Sequence, residues 1–231
     1  MSSGLDIAVI QTRTPATARA ALAHVEPLIR EAASGGAKFI LTPEGTNVLE
    51  QRRDRRDAAI TTEDEDVAVL GLRRLAVELG VWLLIGSAIV RSGQAGDGRA
   101  ANRSLLIDAS GGIVARYDKL HVFDVNLPNG ETYRESATVR PGDGASVADT
   151  PWGRLGLTIC YDIRFPHLHR QLAKAGASMI AVPAAFTKPT GAAHWHVLLR
   201  ARAEEAGLGK LARHVQTRGD DGGLDRVQHV E

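Results

Sequence analysis

One cysteine constrains this chain more than any other residue. Cys160 is the only cysteine in 231 residues, inside Gly153-Arg-Leu-Gly-Leu-Thr-Ile-Cys160-Tyr-Asp-Ile-Arg-Phe-Pro166-His-Leu. Leu155, Leu157 and Ile159 alternate with small or polar residues, which predicts a strand ending at Cys160. Pro166 presets φ for the first position of a helix. Leu168, Leu172 and Ala173 follow at helical spacing, and Gly176 marks the exit. The thiol is therefore expected where a strand turns into a helix. Such a turn lifts a side chain to the carboxyl edge of a sheet and leaves the Tyr161 N–H as an oxyanion donor. The helix dipole adds a little stabilisation of a thiolate where it comes close. The competing reading is a buried, inert cysteine, the common fate of a free thiol.

The rest of the chain reads as alternating strands and helices. Leu5–Ile10, Phe39–Thr42 and Val81–Val90 are apolar runs, as in strands covered on both faces. Thr14-Pro15 is the expected N-cap and first turn of a helix over 15–34, with Pro27 predicting a kink and Gly35-Gly36 the end. Charge dominates residues 50–66, which reads as a solvated loop or an exposed helical turn. Val67, Leu70, Leu75 and Leu79 predict a second helix closed by Gly80. Arg103–Asp108 and Ile113–Tyr117 flank a turn and read as a hairpin. A long loop leads to the cysteine strand. Ser178–Val182 is a further strand, and Thr190-Gly191 opens a helix through about Glu205. This alternation implies an α/β layered domain.

With 28 basic and 27 acidic side chains the net charge is +1. No large field of one sign is expected, so neither nucleic acid nor an anionic membrane is the expected partner. The lone cysteine excludes an internal disulfide and implies a reducing compartment. The first residues lack the pattern of a signal peptide, and the longest apolar run is too short to span a bilayer. A cytoplasmic location is expected.

Glu44, Lys119 and Cys160 each lie just beyond an apolar strand, where α/β sheets place ligand-binding groups. A neutral thiol needs a base or a nearby cation. Glu44 is able to take its proton, and the Lys119 ammonium to stabilise an oxyanion beside the Tyr161 N–H. That set suffices for acyl transfer from an amide, but any enzyme-sized chain offers such a trio.

The wider motifs narrow the reading. Thr42-Pro-Glu44-Gly, Arg116-Tyr-Asp-Lys119-Leu-His-Val-Phe-Asp124, Tyr133-Arg-Glu135-Ser and Gly156-Leu-Thr-Ile-Cys160-Tyr-Asp-Ile-Arg-Phe-Pro166 occur in this order. Pro183–Thr187 and Thr190–Ala203 follow. Together they resemble the nitrilase superfamily of carbon–nitrogen hydrolases, and within it the amidase branch with omega-amidases and deaminated-glutathione amidases. The resemblance implies an αββα sandwich with Glu44 as general base, Lys119 as oxyanion stabiliser or proton donor and Cys160 as thioester-forming nucleophile. It implies that Glu135 positions Lys119 and the substrate. It further implies a small amide substrate, water, no metal, no organic cofactor, and a homodimer; nitrile hydrolysis is an alternative.

Other residues carry weaker readings. Phe186 and Trp195 are candidates for the pocket wall, with core packing expected of Trp195. Arg164 either holds a substrate carboxylate or pairs with Asp162, and the pair is the preferred reading. His121 is open between supporting the site and a structural role. His167/His169 and His194/His196 are spaced two apart, which puts them on different helix faces and argues against a metal site.

The resemblance fails near Glu204. Residues 5–205 are expected to be the catalytic domain and 206–231 a divergent, glycine-rich polar tail. Gly207 and Gly209 weaken any continuing helix. The expectation is a tail over 207–231 that is poorly ordered, and a sandwich lacking its last strands. A catalytically impaired or purely binding protein of the same fold is therefore the alternative to an active amidase.

Overall fold

The structure, a computed structural model, describes residues 5–50, 52–93, 97–127 and 130–207, with the strand backbones of 212–213, 216–218 and 226–230. In chain order the first half comprises β1 (Ile7–Gln11), α1 (Ala18–Ser34), β2 (Phe39–Leu41), α2 (Arg53–Ala59), α3 (Val67–Leu79), β3 (Trp82–Arg91), β4 (Ala100–Ile107) and β5 (Ile113–Asp118). β1, β2 and β3 pair in parallel. Parallel neighbours need crossovers, which α1 and α3 supply. β3, β4 and β5 then pair antiparallel.

Two short strands, β6 (Asp124–Asn126) and β7 (Thr132–Arg134), form a ribbon. The second half comprises β8 (Ser146–Thr150), β9 (Gly153–Leu157), α4 (Pro166–Lys174), β10 (Met179–Val182), β11 (Ala185–Thr187) and α5 (Lys188–Glu205). After it come β12 (Ala212–Arg213), β13 (Gln216–Arg218) and β14 (Arg226–Val230). The sheets run β14-β1-β2-β3-β4-β5 and β12-β10-β9-β8, and β11 pairs with β13.

Strand alternation builds the layers. Ala8, Ile10, Ile40, Leu83, Ile85 and Leu105 gather with Val25 and Ile29 of α1 and Val69 and Leu72 of α3. The intervening Val9, Phe39, Leu41, Leu84 and Leu106 gather instead with Leu155, Leu157, Ile180 and Val182 of the second sheet. Phe39 stacks on Trp152 at 5.9 Å and Trp82 meets it edge-on at 6.0 Å. Leu168 and Leu172 of α4 and Leu199 of α5 complete the second core. The order is helix, sheet, sheet, helix, the αββα sandwich that the motifs imply. Among the described residues no helix is long and apolar enough to cross a membrane.

Several details differ from the sequence expectation. α1 is capped by Thr17, whose hydroxyl accepts from the Ala20 N–H at 3.4 Å, not by Thr14. The Thr14 hydroxyl is spent on Thr12 at 3.2 Å. In the charged stretch, α2 is exposed as expected, but Glu63 and Asp66 are buried. Asp66 caps α3 through the N–H groups of Ala68 and Val69. Glu63 accepts from Arg103 at 3.0 Å and Arg116 at 2.7 Å. Burial alone would raise its pKa, but the two guanidiniums outweigh this and hold it below the usual range. The long loop before the cysteine strand contains β6, β7 and β8.

The tail also departs from expectation. β14 pairs antiparallel with β1 from Ile7↔Val230 to Gln11↔Arg226, and β12 extends the second sheet beside β10. Strands therefore follow α5 where none was expected. The poor order expected over 207–231 falls in part outside the described residues.

Candidate active site

The first acidic group is presented by a loop stitched to a bulge. β2 stops at Leu41, and the β3–β4 register shifts between Ile85 and Ala88. The freed polar groups of β3 turn toward the loop: the Gly86 N–H donates to Thr42 Oγ1 (3.2 Å) and the Ser87 N–H to the Pro43 carbonyl (3.0 Å). In return the Thr46 N–H donates to the Ser87 carbonyl and the Gly45 N–H to Ser87 Oγ, both at 2.8 Å. Gly86 is obligatory here. A Cβ at this position would strike the Thr42 carbonyl and lie 2.5 Å from Pro183 Cβ. Glu44, held by this loop, is only 8% exposed. Its Oε1 accepts from Asn102 Nδ2 (3.0 Å) and Lys119 Nζ (3.0 Å), and its Oε2 from the Ala185 N–H (2.8 Å).

Lys119 follows β5 and is fully buried apart from 2%. Its N–H donates to the Asn102 carbonyl, and its own carbonyl accepts from Gly142, both at 2.9 Å. Nζ also reaches both Glu135 oxygens, at 3.0 and 3.2 Å. The Phe123 N–H donates to Glu135 Oε2 at 2.6 Å and fixes that carboxylate. Burial disfavours the ammonium, but Glu135 and then Glu44 outweigh it, so the Lys119 pKa is raised well above its usual value. The cation is permanent in the physiological range.

β9 ends at Leu157, three residues before the expected end. Thr158 turns both its N–H (3.2 Å) and hydroxyl (2.7 Å) onto the Ala181 carbonyl. Cys160 then adopts φ 50°, the one positive φ among the described non-glycine residues, and its N–H donates to the Pro183 carbonyl at 2.8 Å. A left-handed conformation at a residue with a Cβ is strained and needs strong support. Asp162 supplies it, wholly buried in the 3₁₀ turn Cys160–Arg164. Its Oδ2 accepts from Tyr117 Oη (2.6 Å) and the Ile159 N–H (2.8 Å). Its Oδ1 accepts from the His121 N–H (3.0 Å) and contacts His121 Nδ1 (2.7 Å). His121 stacks on Phe165 at 3.6 Å, so it braces the turn that carries Cys160.

The thiol is hydrogen-bonded to Glu44 and lies against the Ala185 N–H. Burial and then the Glu44 charge push its pKa well above the usual value, and Lys119 offsets only part of this. Burial and Glu44 together favour the protonated thiol over the thiolate considered from sequence.

The remaining candidates are placed as follows. Tyr161 packs edge-on to Phe123 (5.1 Å) and Phe165 (5.4 Å). Phe186 and Trp195 are both buried and meet at 5.2 Å. Arg164 makes no pair with Asp162, whose oxygens are taken by Tyr117, Ile159 and His121. Its guanidinium lies 5.8 Å over the Tyr161 ring and 6.0 Å over the Phe186 ring, and Nη2 contacts His194 Nδ1 at 3.1 Å. Sequence reasoning missed Asn102, the Ala185 N–H and Asp162. The polar run Asn102-Arg103-Ser104 inside β4 was the one available sign. Among the described residues no group of three or more His, Cys, Asp or Glu side chains is arranged to hold a metal.

Comparison with known proteins places the chain in a family. Residues 6–208 match the family described as carbon-nitrogen hydrolase. The chain is 41% identical over 219 residues to a deaminated glutathione amidase of Yersinia enterocolitica, covering 92% of this chain and 76% of that one. The C. elegans NitFhit protein superposes with a TM-score of 0.83 at 32% identity, over 96% of this chain and 54% of that one. A glutamate-to-leucine mutant of the Nesterenkonia sp. AN1 amidase superposes with a TM-score of 0.77 at 29% identity, over 96% of this chain and 79% of that one. That mutant carries the acetamide moiety of fluoroacetamide covalently on its active-site cysteine. The chain belongs to the carbon–nitrogen hydrolase family and is an amide-hydrolysing enzyme.

Proposed function

We propose that the chain hydrolyses a small carboxamide bearing a carboxylate, through a thioester on Cys160, to an acid and ammonia. The observation that carries this reading is the ion-paired row Glu135–Lys119–Glu44, its last two members buried, ending on a hydrogen-bonded thiol. Cys160 Sγ attacks the amide carbon while its proton passes to Glu44. The oxyanion is met by the Lys119 ammonium and the Tyr161 N–H. Glu44 returns the proton to the leaving nitrogen, and ammonia departs. Water then attacks the thioester with Glu44 again as base, which releases the acid and restores the thiol. Glu135 keeps Lys119 aimed without taking part in the proton traffic. The covalent adduct in the Nesterenkonia relative supports the nucleophile assignment.

Arg164 supports the carboxylate. A guanidinium has five N–H donors, and this one is held at the turn that carries Cys160, between two aromatic faces. The name of the Yersinia relative points to the same substrate class, because glutathione carries free carboxylates. Ammonia release from omega-amide acids, against neutral amides of equal length, tests both parts. Release that is abolished in Cys160→Ala and favours the acids is the expected result. No release from any amide by folded protein overturns the reading. Equal rates for acid and neutral amides remove Arg164 from it.

A further inference from the structure

Glu44 has two oxygens, and they meet different partners. The Ala185 N–H donates to Oε2 at 2.8 Å and also lies against the Cys160 sulfur, so the thiol is on the Oε2 side. Oε1 accepts two hydrogen bonds, from Lys119 Nζ and from Asn102 Nδ2, each at 3.0 Å. A carboxylate oxygen has two lone pairs in its plane, and two donors occupy both. We infer that Asn102 is a positioning residue for the reaction: with Lys119 it fills Glu44 Oε1, so that the proton leaving Cys160 is received at Oε2. This rests on the hydrolytic mechanism proposed above.

Three further observations support the assignment. Asn102 is 2% exposed, and its Oδ1 finds no donor among the described residues. An orphaned buried acceptor is costly, and the Nδ2 bond to Glu44 is what the side chain gains in exchange. The opposite amide orientation would set Oδ1 against Glu44 Oε1, acceptor facing acceptor, so the ionised carboxylate fixes the direction of the amide. Finally, the Asn102 carbonyl accepts from the Lys119 N–H at 2.9 Å. One residue thereby sets the height of the cation through its backbone and the spare oxygen of the base through its side chain.

In the attack step the S–H bond breaks and its proton joins Oε2. The sulfur lone pair forms the S–C bond, and the carbonyl π pair moves to oxygen. Oε1 becomes the carbonyl oxygen of a neutral carboxyl group and keeps both donors. Without Asn102 one lone pair of Oε1 is open, and the proton can settle on the side away from the leaving nitrogen.

The charged or titratable groups facing Glu44 are Lys119 and Cys160, with Glu135 behind Lys119. The test uses Asn102→Leu, close in volume with no donor, and Asn102→Asp, which replaces the donor by an acceptor. The backbone bond to Lys119 is retained in both, and thermal midpoints check the fold. Expected for each is a kcat about ten- to a hundredfold lower, the loss of one charge-assisted hydrogen bond, with KM changed less than about threefold. The acid limb of kcat/KM should move to higher pH, because the Glu44 anion has lost a donor.

A substrate-free readout is the pH titration of the protonated-carboxyl infrared band that disappears in Glu44→Gln. It should move to higher pH in both Asn102 variants. A lower kcat with both pH profiles unmoved reduces Asn102 to a structural residue and overturns the inference, as does wild-type turnover in both variants. If wild-type protein releases no ammonia, the hydrolytic reading fails, and an unmoved infrared titration then sinks the inference independently. Should Asn102→Leu fail to fold, Asn102→Asp alone decides.

Discussion

At the scale of the residue, charges of opposite sign act on one thiol. Burial and Glu44 raise the Cys160 pKa, while Lys119 lowers it. The two charge-removing variants should therefore move the thiol in opposite directions. Glu44→Gln takes away an anion, so the pH midpoint of iodoacetamide labelling should fall toward the ordinary thiol value of about 8.5. Amide hydrolysis should nevertheless drop about a hundred- to ten-thousandfold, because the proposed base is gone. Lys119→Met takes away a cation, so labelling should need higher pH than in wild-type protein, and hydrolysis should be lost as well. Midpoints that shift the same way in both variants would falsify this account of the site. Glu44, Lys119 and Cys160 were legible because each follows an apolar run, and Glu135 through its motif. Asn102, Asp162 and the Ala185 N–H were not. Their roles depend on partners 58, 45 and 141 positions away in sequence, a distance that local pattern does not encode.

At the scale of the element, the site depends on how closely β3 approaches two loops. Gly86 touches Thr42-Pro43, which carry Glu44, and also Pro183, whose carbonyl holds the Cys160 N–H. A methyl group at Gly86 must push the two loops outward. Gly86→Ala should cost about 1–3 kcal/mol of stability by overpacking. Its activity loss should be larger than stability explains, since about 1 Å of misplacement costs on the order of a hundredfold. Urea unfolding and kcat measured on the same preparation separate the two effects; a variant with unchanged kcat shows that the loops do not depend on this contact. α4 offers a second test. His169 is wholly buried, its Nδ1 contacts the Phe165 carbonyl at 3.2 Å and its Nε2 has no partner among the described residues. Burial lowers its pKa, so the folded state favours the neutral ring. The unfolded chain then binds the extra proton. This contribution to stability is complete above about pH 6.5 and is lost as pH falls through the lowered folded value. His169→Leu should flatten the decline of the urea midpoint between about pH 7 and 5; an equally steep decline assigns it to other groups. The helices were readable because caps and periodicity are local: Gly80 closes α3 in the left-handed region as its sequence position demands. The ribbon β6–β7 and strand β8 were not, because strands of three to five residues with half-polar faces leave no periodic run.

At the scale of the whole molecule, the six-stranded sheet is completed from both ends of the sequence. β1 lies between β2 and β14, so its second edge is covered by residues 226–230. The sequence of β14, Arg226-Val-Gln-His-Val230, has neither an apolar run nor clean alternation, which is why no strand was expected there. Its place comes from main-chain pairing, which any extended segment can offer to an open edge, and side-chain pattern does not record that capacity. The layers themselves were legible, because buried strands separated by helices admit few arrangements. The proposed catalytic groups follow β2, β5 and β9, whereas β14 touches the sheet on the far side of β1. Removing residues 226–231 should therefore separate stability from chemistry. The unpaired edge of β1, whose central residues Ala8, Val9 and Ile10 are buried, becomes a template for another chain. Light scattering should show concentration-dependent association of the shortened protein, and hydrogen exchange should show β1 amides losing protection first. At dilutions where it stays monomeric, kcat per folded molecule should remain within about threefold of the full chain, since no side chain of the site is displaced. A shortened protein that stays monomeric with β1 fully protected would mean that β14 adds nothing to the edge. A protein that loses its chemistry while β2 and β5 remain protected would mean that the tail reaches the site by a route other than the sheet.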